Sequence, residues 1–204
     1  MRRRDKEISE PAFLADVLDR AEWGTLGLVT PQGHPLLVPV NFVHHQGRLY
    51  FHGSPVGEKM TVIKDGAEAT FLVVEAYALI PSYAFDPVLA CPASQFYRSV
   101  LAYGRVAPVA DPERKAEALA ALMRKLQPEG GYEPISAVGP TYQASLKGVA
   151  VLEMTVRRWS GKAGLGQNLK PEVREQVKAF LERRGAPGDA RTLEAMAQVP
   201  RKNS

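Results

Sequence analysis

The chain has 204 residues, long enough for one well-buried domain with appended helices, and its 45% hydrophobic and 24% charged residues are ordinary for a globular protein. No apolar run approaches the ~20 residues of a membrane helix, and the single cysteine, Cys91, excludes an intramolecular disulfide and a cysteine-rich zinc site while fitting a reducing compartment. The net charge of +4 suits anionic ligands, phosphates included, but the basic residues are dispersed rather than striped, so nucleic-acid binding is not indicated.

The basic start, Met1 to Glu7, is followed by no apolar h-region. No secretory signal is therefore expected, and the expected location is the cytoplasm. The cluster Arg2 to Arg4 reads as solvated. Ser9, Pro11 and the apolar positions Phe13, Leu14, Val17, Leu18 and Ala21 predict an amphipathic helix over residues 11–22 that Gly24 stops. Strands are expected at 25–30, 34–45 and 48–52, with turns at Pro31-Gln-Gly33 and Gln46-Gly47, which together make an antiparallel meander. Pro35 and Pro39 cannot donate ladder bonds, so their strand should lie at an edge or be bulged.

A short helix is expected at 57–65, then a strand at 67–78 whose two largely apolar faces suggest a central position buried on both sides. Residues 79–94 read as an irregular loop. A long strand follows at 95–109, with Gly104 marking a bulge or barrel corner. Asp111 and Pro112 open a helix through Leu126. Residues 127–143 are rich in glycine and proline, and 147–159 is the last strand. Residues 161–168 read as a flexible linker, followed by helices at 171–184 and 192–199 and a frayed end at Arg201 to Ser204. The fold class expected is mainly β with added helices, a small six-stranded antiparallel barrel. The alternation and glycine signature of a parallel nucleotide-binding sheet are missing.

Three segments carry the candidate chemistry. In Arg48-Leu-Tyr-Phe-His-Gly-Ser-Pro-Val-Gly-Glu-Lys59, Arg48, Tyr50 and His52 share one strand face. Gly53 and Gly57 let the backbone bend and approach a ligand, and Lys59 with the first helix amides offers an anion site. A flat polar strand face beside such a site suits a flavin mononucleotide. In Gln95 to Val106, Arg98 and Ser99 present a guanidinium fork and a hydroxyl, although neighbours on a strand reach one ligand only across a bulge. In Arg157 to Lys162, Trp159 offers a plane for stacking. Each also has a plain structural reading: an exposed histidine, a solvated lysine, an arginine paired with a carboxylate, a core tryptophan. His44 and His45 point to opposite faces, and with His34 they make no ligand spacing, so no metal is expected.

These segments resemble the pyridoxamine 5′-phosphate oxidase-like split-barrel superfamily and, within it, the nitroimidazole-resistance (Nim-type) flavoproteins. The resemblance is carried by the opening Arg3-Arg-Asp-Lys-Glu-Ile8, the Tyr50 to Lys59 strand and turn, Tyr97-Arg-Ser-Val with Gly104-Arg-Val106, and the closing Arg158-Trp-Ser-Gly-Lys162. It implies a six-stranded split β-barrel over residues 1–162, with residues 163–204 as linker and helical extension. It further implies a homodimer with two FMN sites at the interface, each built from both chains. By position, Lys59 and Arg98 would contact phosphate, with Ser99 as hydroxyl partner. His52 would lie near the flavin ring as the catalytic residue, and Val38, Pro39, Val40 and Asn41 would line the ring through backbone groups. Gly57, Met60, Tyr97 and Trp159 would complete the pocket. Authentic pyridoxamine phosphate oxidases follow their last tryptophan with Arg-x-His. Here Ser160 and Gly161 follow, and no histidine occurs after His52, which disfavours vitamin B6 oxidation.

The function expected is an FMN-dependent oxidoreductase. It would take electrons from a nicotinamide or another donor and pass them to a small aromatic or nitro-type acceptor. The alternative is a non-catalytic module for a flavin, a deazaflavin or haem, with His52 as a candidate haem ligand. A nucleic-acid-binding regulator is a weaker third reading.

Overall fold

The computed structural model describes residues 6–199. The basic cluster Arg2 to Arg4, the start of the opening motif (Arg3 to Asp5) and the closing Arg201 to Ser204 lie outside them. The strands are β1 (Glu7–Ile8), β2 (Trp23–Val29), β3 (Pro35–Asn41), β4 (Val43–His45), β5 (Arg48–Gly53), β6 (Ala67–Ile80), β7 (Ser94–Pro108) and β8 (Ala150–Gly164). The helices are α1 (Pro11–Arg20), α2 (Glu58–Ile63), α3 (Pro112–Leu126), α4 (Pro140–Gly148), α5 (Pro171–Arg184) and α6 (Asp189–Gln198), with a 3-10 turn at Ser82–Ala84. The hydrogen-bonded strand order is β3-β2-β6-β7-β8-β5-β4, with β1 added to β8. Among the described residues the strand count is eight rather than six, because the expected 34–45 strand breaks at Phe42 and two residues near the N-terminus pair with Lys162 and Gly161.

The described residues form two compact units. One holds residues 14–73 and 101–159, the other residues 6–13, 74–100 and 160–199. In the first of these, β3 and β4 stand at opposite ends of the strand path, yet only Phe42 separates them in sequence. That link forces the sheet to curl until its two ends come side by side, although among the described residues no ladder joins them, so the barrel is split. Phe42 is fully buried. Its ring meets Phe71 edge-on at 4.9 Å, and Phe71 stacks on Phe51 at 5.2 Å; Leu26, Leu49, Leu152 and Met154 complete the interior. The Gln46-Gly47 turn has φ of 50° and 76° at its two central residues. It joins His45 directly to its partner Arg48, as a two-residue hairpin requires.

Several expectations shift for physical reasons. Gly24 does not end α1. It lies within β2 opposite Val40, where a Cβ would run into the Phe71 ring. β3 is an edge strand, as its prolines demand. β6 is central in the path, but only one face is buried: Ala69, Phe71, Val73 and Glu75 point inward, while Leu72 and Val74 are exposed. Gly104 packs so closely on β8 that a Cβ would overlap the Thr155 carbonyl. Asp111 caps α3 by accepting from the amides of Glu113 and Arg114 at 3.3 and 3.2 Å. The glycine- and proline-rich stretch contains a helix, α4, which Gly139 and Pro140 start.

The other unit overturns the linker reading. Residues 161–164 are strand, and Leu165 and Gln167 are buried. Gln167 folds its amide back to accept from the Leu165 N–H at 2.9 Å and to donate to the Ala163 carbonyl at 2.6 Å. Here α5 and α6 pack Val177, Leu181, Ala195 and Met196 against Ile8, Ile80, Phe96 and Leu165 in one apolar cluster, so the C-terminal helices share a core with residues of β1, β6 and β7. The buried Arg174 donates to the carbonyls of Met196 and Val199 at the end of α6, satisfying acceptors that a helix terminus leaves open.

Gly104→Ala should lower stability by about 2 kcal/mol, since the new methyl overpacks backbone that cannot rotate away. Urea denaturation of the variant beside the parent chain checks this.

Candidate functional site

In the barrel unit, β5 ends at Gly53 and the chain turns into α2. Gly57, with φ of 111°, occupies the N-cap position, and no side chain caps the helix. The positive φ is what glycine is for here. Gly53 has a different role. A Cβ on it would come 2.8 Å from Lys59 Nζ, so its missing side chain is what lets the ammonium settle over the strand end. His52 beside it is exposed, and Lys59 and Met60 are half-buried. β3 runs beside the same strand but takes its ladder bonds only from β2 among the described residues. Val38 and Val40 are half-buried, Pro39 and Asn41 are exposed, and the Asn41 amide donates to the Glu22 carbonyl at 3.0 Å. His52, Gly57, Lys59, Met60 and residues 38–41 thus fall in one unit, with His52 and Lys59 together at the end of β5.

The rest of the expected polar strand face is engaged in contacts within the fold. Tyr50 is buried opposite Glu153, and its hydroxyl donates to Oε2 at 2.9 Å. Arg48 Nη1 donates to Oε1 of the same carboxylate and to Thr155 Oγ1 at 2.9 Å, and Arg114 Nη2 also reaches Glu153. Arg48 and Tyr50 are therefore members of a cross-strand ion network in which the Arg48 side chain stays 42% exposed, while His52 is exposed without joining it. Burial raises the Tyr50 hydroxyl above its ordinary pKa, with the Glu153 hydrogen bond acting in the same direction.

Trp159 does not join His52 within the chain. His52 pairs with Val151, and Trp159 lies eight positions further along β8, about 26 Å of extended strand. Its ring meets His44 edge-on at 5.7 Å, while His45 Nε2 lies 3.1 Å from Glu117 Oε1, so the two histidines serve different neighbours. Lys125 sits near His44. Its ammonium donates to the Leu18 carbonyl at 2.8 Å and lies 3.8 Å from the centre of the Phe42 ring. Burial lowers the His44 pKa, against the pull of Asp19 and with the help of Lys125 and His45. It pushes Lys125 down from 10.5 to about 8. Nothing in the sequence around Lys125 marks it out; its place depends on α3 meeting α1 and Phe42.

Tyr97, Arg98 and Ser99 lie in the other unit. The Tyr97 ring packs where Gly164 has no side chain, with Lys6 Nζ 5.9 Å from its centre. Arg98 and Ser99 alternate in burial along β7, Arg98 buried and Ser99 half-buried. Arg98 differs from the phosphate-contact expectation. Its side chain is 2% exposed, Nε and Nη2 donate to Glu75 Oε2 at 2.8 and 2.5 Å, and Nη1 reaches Gln198 Oε1 at 3.4 Å. The rings of Phe13 and Tyr77 lie 5.5 and 5.6 Å from its guanidinium carbon. Glu75 also accepts from Arg191 on α6. This buried fork is spent on a carboxylate, the plain reading that the residue type allowed.

Among the described residues no group of three or more metal-binding side chains occurs, and no helix is long and apolar enough to cross a membrane. A family model, Pyridoxamine 5′-phosphate oxidase, matches residues 11–163. A comparison with the curated proteins finds no match. Among solved structures, the chain is similar to a candidate 5-nitroimidazole antibiotic resistance protein from Bacteroides thetaiotaomicron, with 22% identity, coverage of 77% of this chain and 86% of the other, and a TM-score of 0.62. It is also similar to an FAD and haem binding protein from Mycobacterium smegmatis (22%, 85% and 80%, 0.67) and to a flavocytochrome from Azotobacter vinelandii (22%, 78% and 69%, 0.65). At this identity the likeness establishes the fold, the split barrel with added helices.

Two outcomes follow from these contacts. Arg98→Met should lower stability by about 3 kcal/mol by leaving Glu75 buried with one partner fewer, and adding Glu75→Leu should recover part of the loss; chemical denaturation of the three chains reads both. The second concerns Lys125. Between pH 8 and 10.5 the unfolded chain holds the Lys125 proton and the folded chain does not, so stability gains a contribution as pH rises through that window. The stability of Lys125→Met relative to the parent should therefore fall from pH 8 to 10.5, measured by denaturant midpoints across that range.

Proposed function

The chain belongs to the pyridoxamine 5′-phosphate oxidase-like family, and on that premise we propose that it is a homodimeric flavoprotein that binds FMN and passes electrons to a small aromatic or nitro-type acceptor. The observation that carries the proposal is the Lys59 ammonium lying close over Gly53 beside the exposed His52. The donor set fits the cofactor at that point: a cationic side chain for a phosphate, an exposed imidazole beside it, and the strand edge at residues 38–41, whose backbone groups are available to a planar ring. Arg98 is left out of the phosphate contacts because its fork is taken by Glu75.

Bound FMN would supply two-electron chemistry between a reduced donor, such as a nicotinamide, and the acceptor. The protein's own residues bind and orient. Lys59 anchors the phosphate, His52 positions the acceptor or delivers a proton to it, and Gly57 and Met60 shape the turn beneath. The dimer is supported by an exposed apolar sheet face in the barrel unit, where Trp23 and Val29 on β2, Leu37 on β3 and Leu72 on β6 are 40–70% exposed. A contiguous face of that kind marks an association surface. Trp159 then completes a site only across the dimer, because within one chain it lies too far along β8 from His52. Ser160 and Lys162 stand where a B6-oxidising site would need its arginine and histidine, so pyridoxamine phosphate is not the proposed substrate.

The alternative, a module that holds a flavin, a deazaflavin or haem without turnover, rests on the same exposed His52 acting as a ligand. The absorption spectrum of the purified protein, with mass spectrometry of any released ligand, separates the readings. A flavin spectrum with FMN released supports the oxidoreductase, and a haem Soret band supports the module. Lys59→Ala should weaken FMN binding by about 1.5–3 kcal/mol through loss of a charge-assisted bond, and His52→Ala should retain FMN but lose turnover. Unchanged FMN affinity in Lys59→Ala overturns the site.

A further inference from the structure

We propose that the cleft between the Ser82–Ala84 turn and α5 is a binding site for a planar aromatic carboxylate. The cleft has a volume of about 670 Å³ and is lined by Tyr83, Phe85, Gln176, Phe180, Arg183 and Arg184, with Asp86 at one end. That size suits a small organic ligand. All of these residues belong to the unit that contains the C-terminal helices, and none of them belongs to the proposed flavin site.

The walls are fixed before any ligand arrives. On the loop side, Asp86 Oδ1 accepts from the amides of Val88 and Leu89, both at 2.8 Å, which holds the turn folded. On the helix side, Arg184 is pinned by Asp189, with Nε to Oδ2 at 2.9 Å and Nη2 to Oδ1 at 2.5 Å, and by the Leu79 carbonyl at 3.0 Å. Gln176, Phe180, Arg183 and Arg184 fall at the spacing that places side chains on one helix face. Preorganised walls reduce the ordering loss on binding.

The chemistry of the lining selects the ligand. Tyr83 is 67% exposed and meets Phe180 edge-on at 5.7 Å, and the Arg184 guanidinium carbon lies 5.0 Å from the Phe180 ring centre. The open Tyr83 ring and the half-buried Phe180 ring beside it offer a face and an edge to a planar ring. The charges decide the rest. Arg184 is neutralised by Asp189. Arg183 is exposed and has no ion pair or hydrogen bond among the described residues, so its full fork of donors is unused, and one fork matches one carboxylate in a bidentate pair. Asp86 repels an anion at its own end of the cleft. That directs the carboxylate to Arg183 and the ring to Tyr83 and Phe180, and disfavours a dianionic phosphate.

The probe is 2-naphthoate, titrated by calorimetry into the full-length protein saturated with FMN, beside the neutral 2-naphthamide. The expected result is one 2-naphthoate per chain, with 2-naphthamide about tenfold weaker. Arg183→Gln, an exposed substitution, should weaken 2-naphthoate about tenfold, and Phe180→Leu should weaken it while leaving the flavin spectrum unchanged. Lys59→Ala should bind 2-naphthoate as the parent does, which keeps this site separable from the flavin proposal. No binding of 2-naphthoate, equal binding of the amide, an unaffected Arg183→Gln, or loss of 2-naphthoate in Lys59→Ala would each overturn the inference.

Discussion

Asn41 and Val43 flank a single residue yet belong to strands at opposite ends of the hydrogen-bonded path. The barrel depends on that short covalent link. A flat sheet would hold those two strands apart by the width of every strand between them, so the chain can satisfy both pairings only by rolling up. Phe42, at the join, is buried on Phe71, and the apolar interior is therefore stitched at the point where the curl is imposed. The short β4, the two-residue turn at Gln46-Gly47 and the return of β5 follow from the same demand, since the chain must reverse at once to pair with itself.

The close approach that a small barrel imposes explains the glycines better than flexibility does. Gly24, Gly104 and Gly164 sit where a methyl would strike Phe71, Thr155 or Tyr97. The last of these lies in the segment read from sequence as a linker. Glycine clusters look alike in a sequence whether they loosen a chain or let two parts of it touch, and Gly161 to Gly166 was legible only as the former. By contrast, Pro35, Pro39, Asp111 and Pro112 carry local meaning that no tertiary contact can reverse: a missing donor, a cap, a fixed φ. Their elements lie where the sequence put them. α4 escaped because its starting Gly139-Pro140 pair was absorbed into a stretch read as loop.

The candidate site divides along the same line. His52, Gly53, Gly57 and Lys59 are neighbours in sequence, so one turn brings them together and their proximity could be read directly. Arg48 and Tyr50 looked equally available on that strand, but Glu153, a hundred residues away, claims both through strand register. Arg98 is claimed by Glu75 and, through that carboxylate, linked to Arg191 of α6. A lone sequence shows which side chains are polar; which of them the fold satisfies internally is a question of register, set by residues far away in the chain.

The two prolines of β3 have a consequence for how the barrel can be entered. Their nitrogens must face away from the β2 ladder, so the outer edge of β3, which runs beside β5, lacks donors at Pro35 and Pro39 among the alternate residues that face it. A seam between the strands cannot zip shut with regular backbone bonds. A flat molecule sliding into that seam would displace water rather than break a ladder, and the barrel would give up no internal hydrogen bonds to admit it. The split is thus written into the chain as absent protons, and no later movement of side chains can close it.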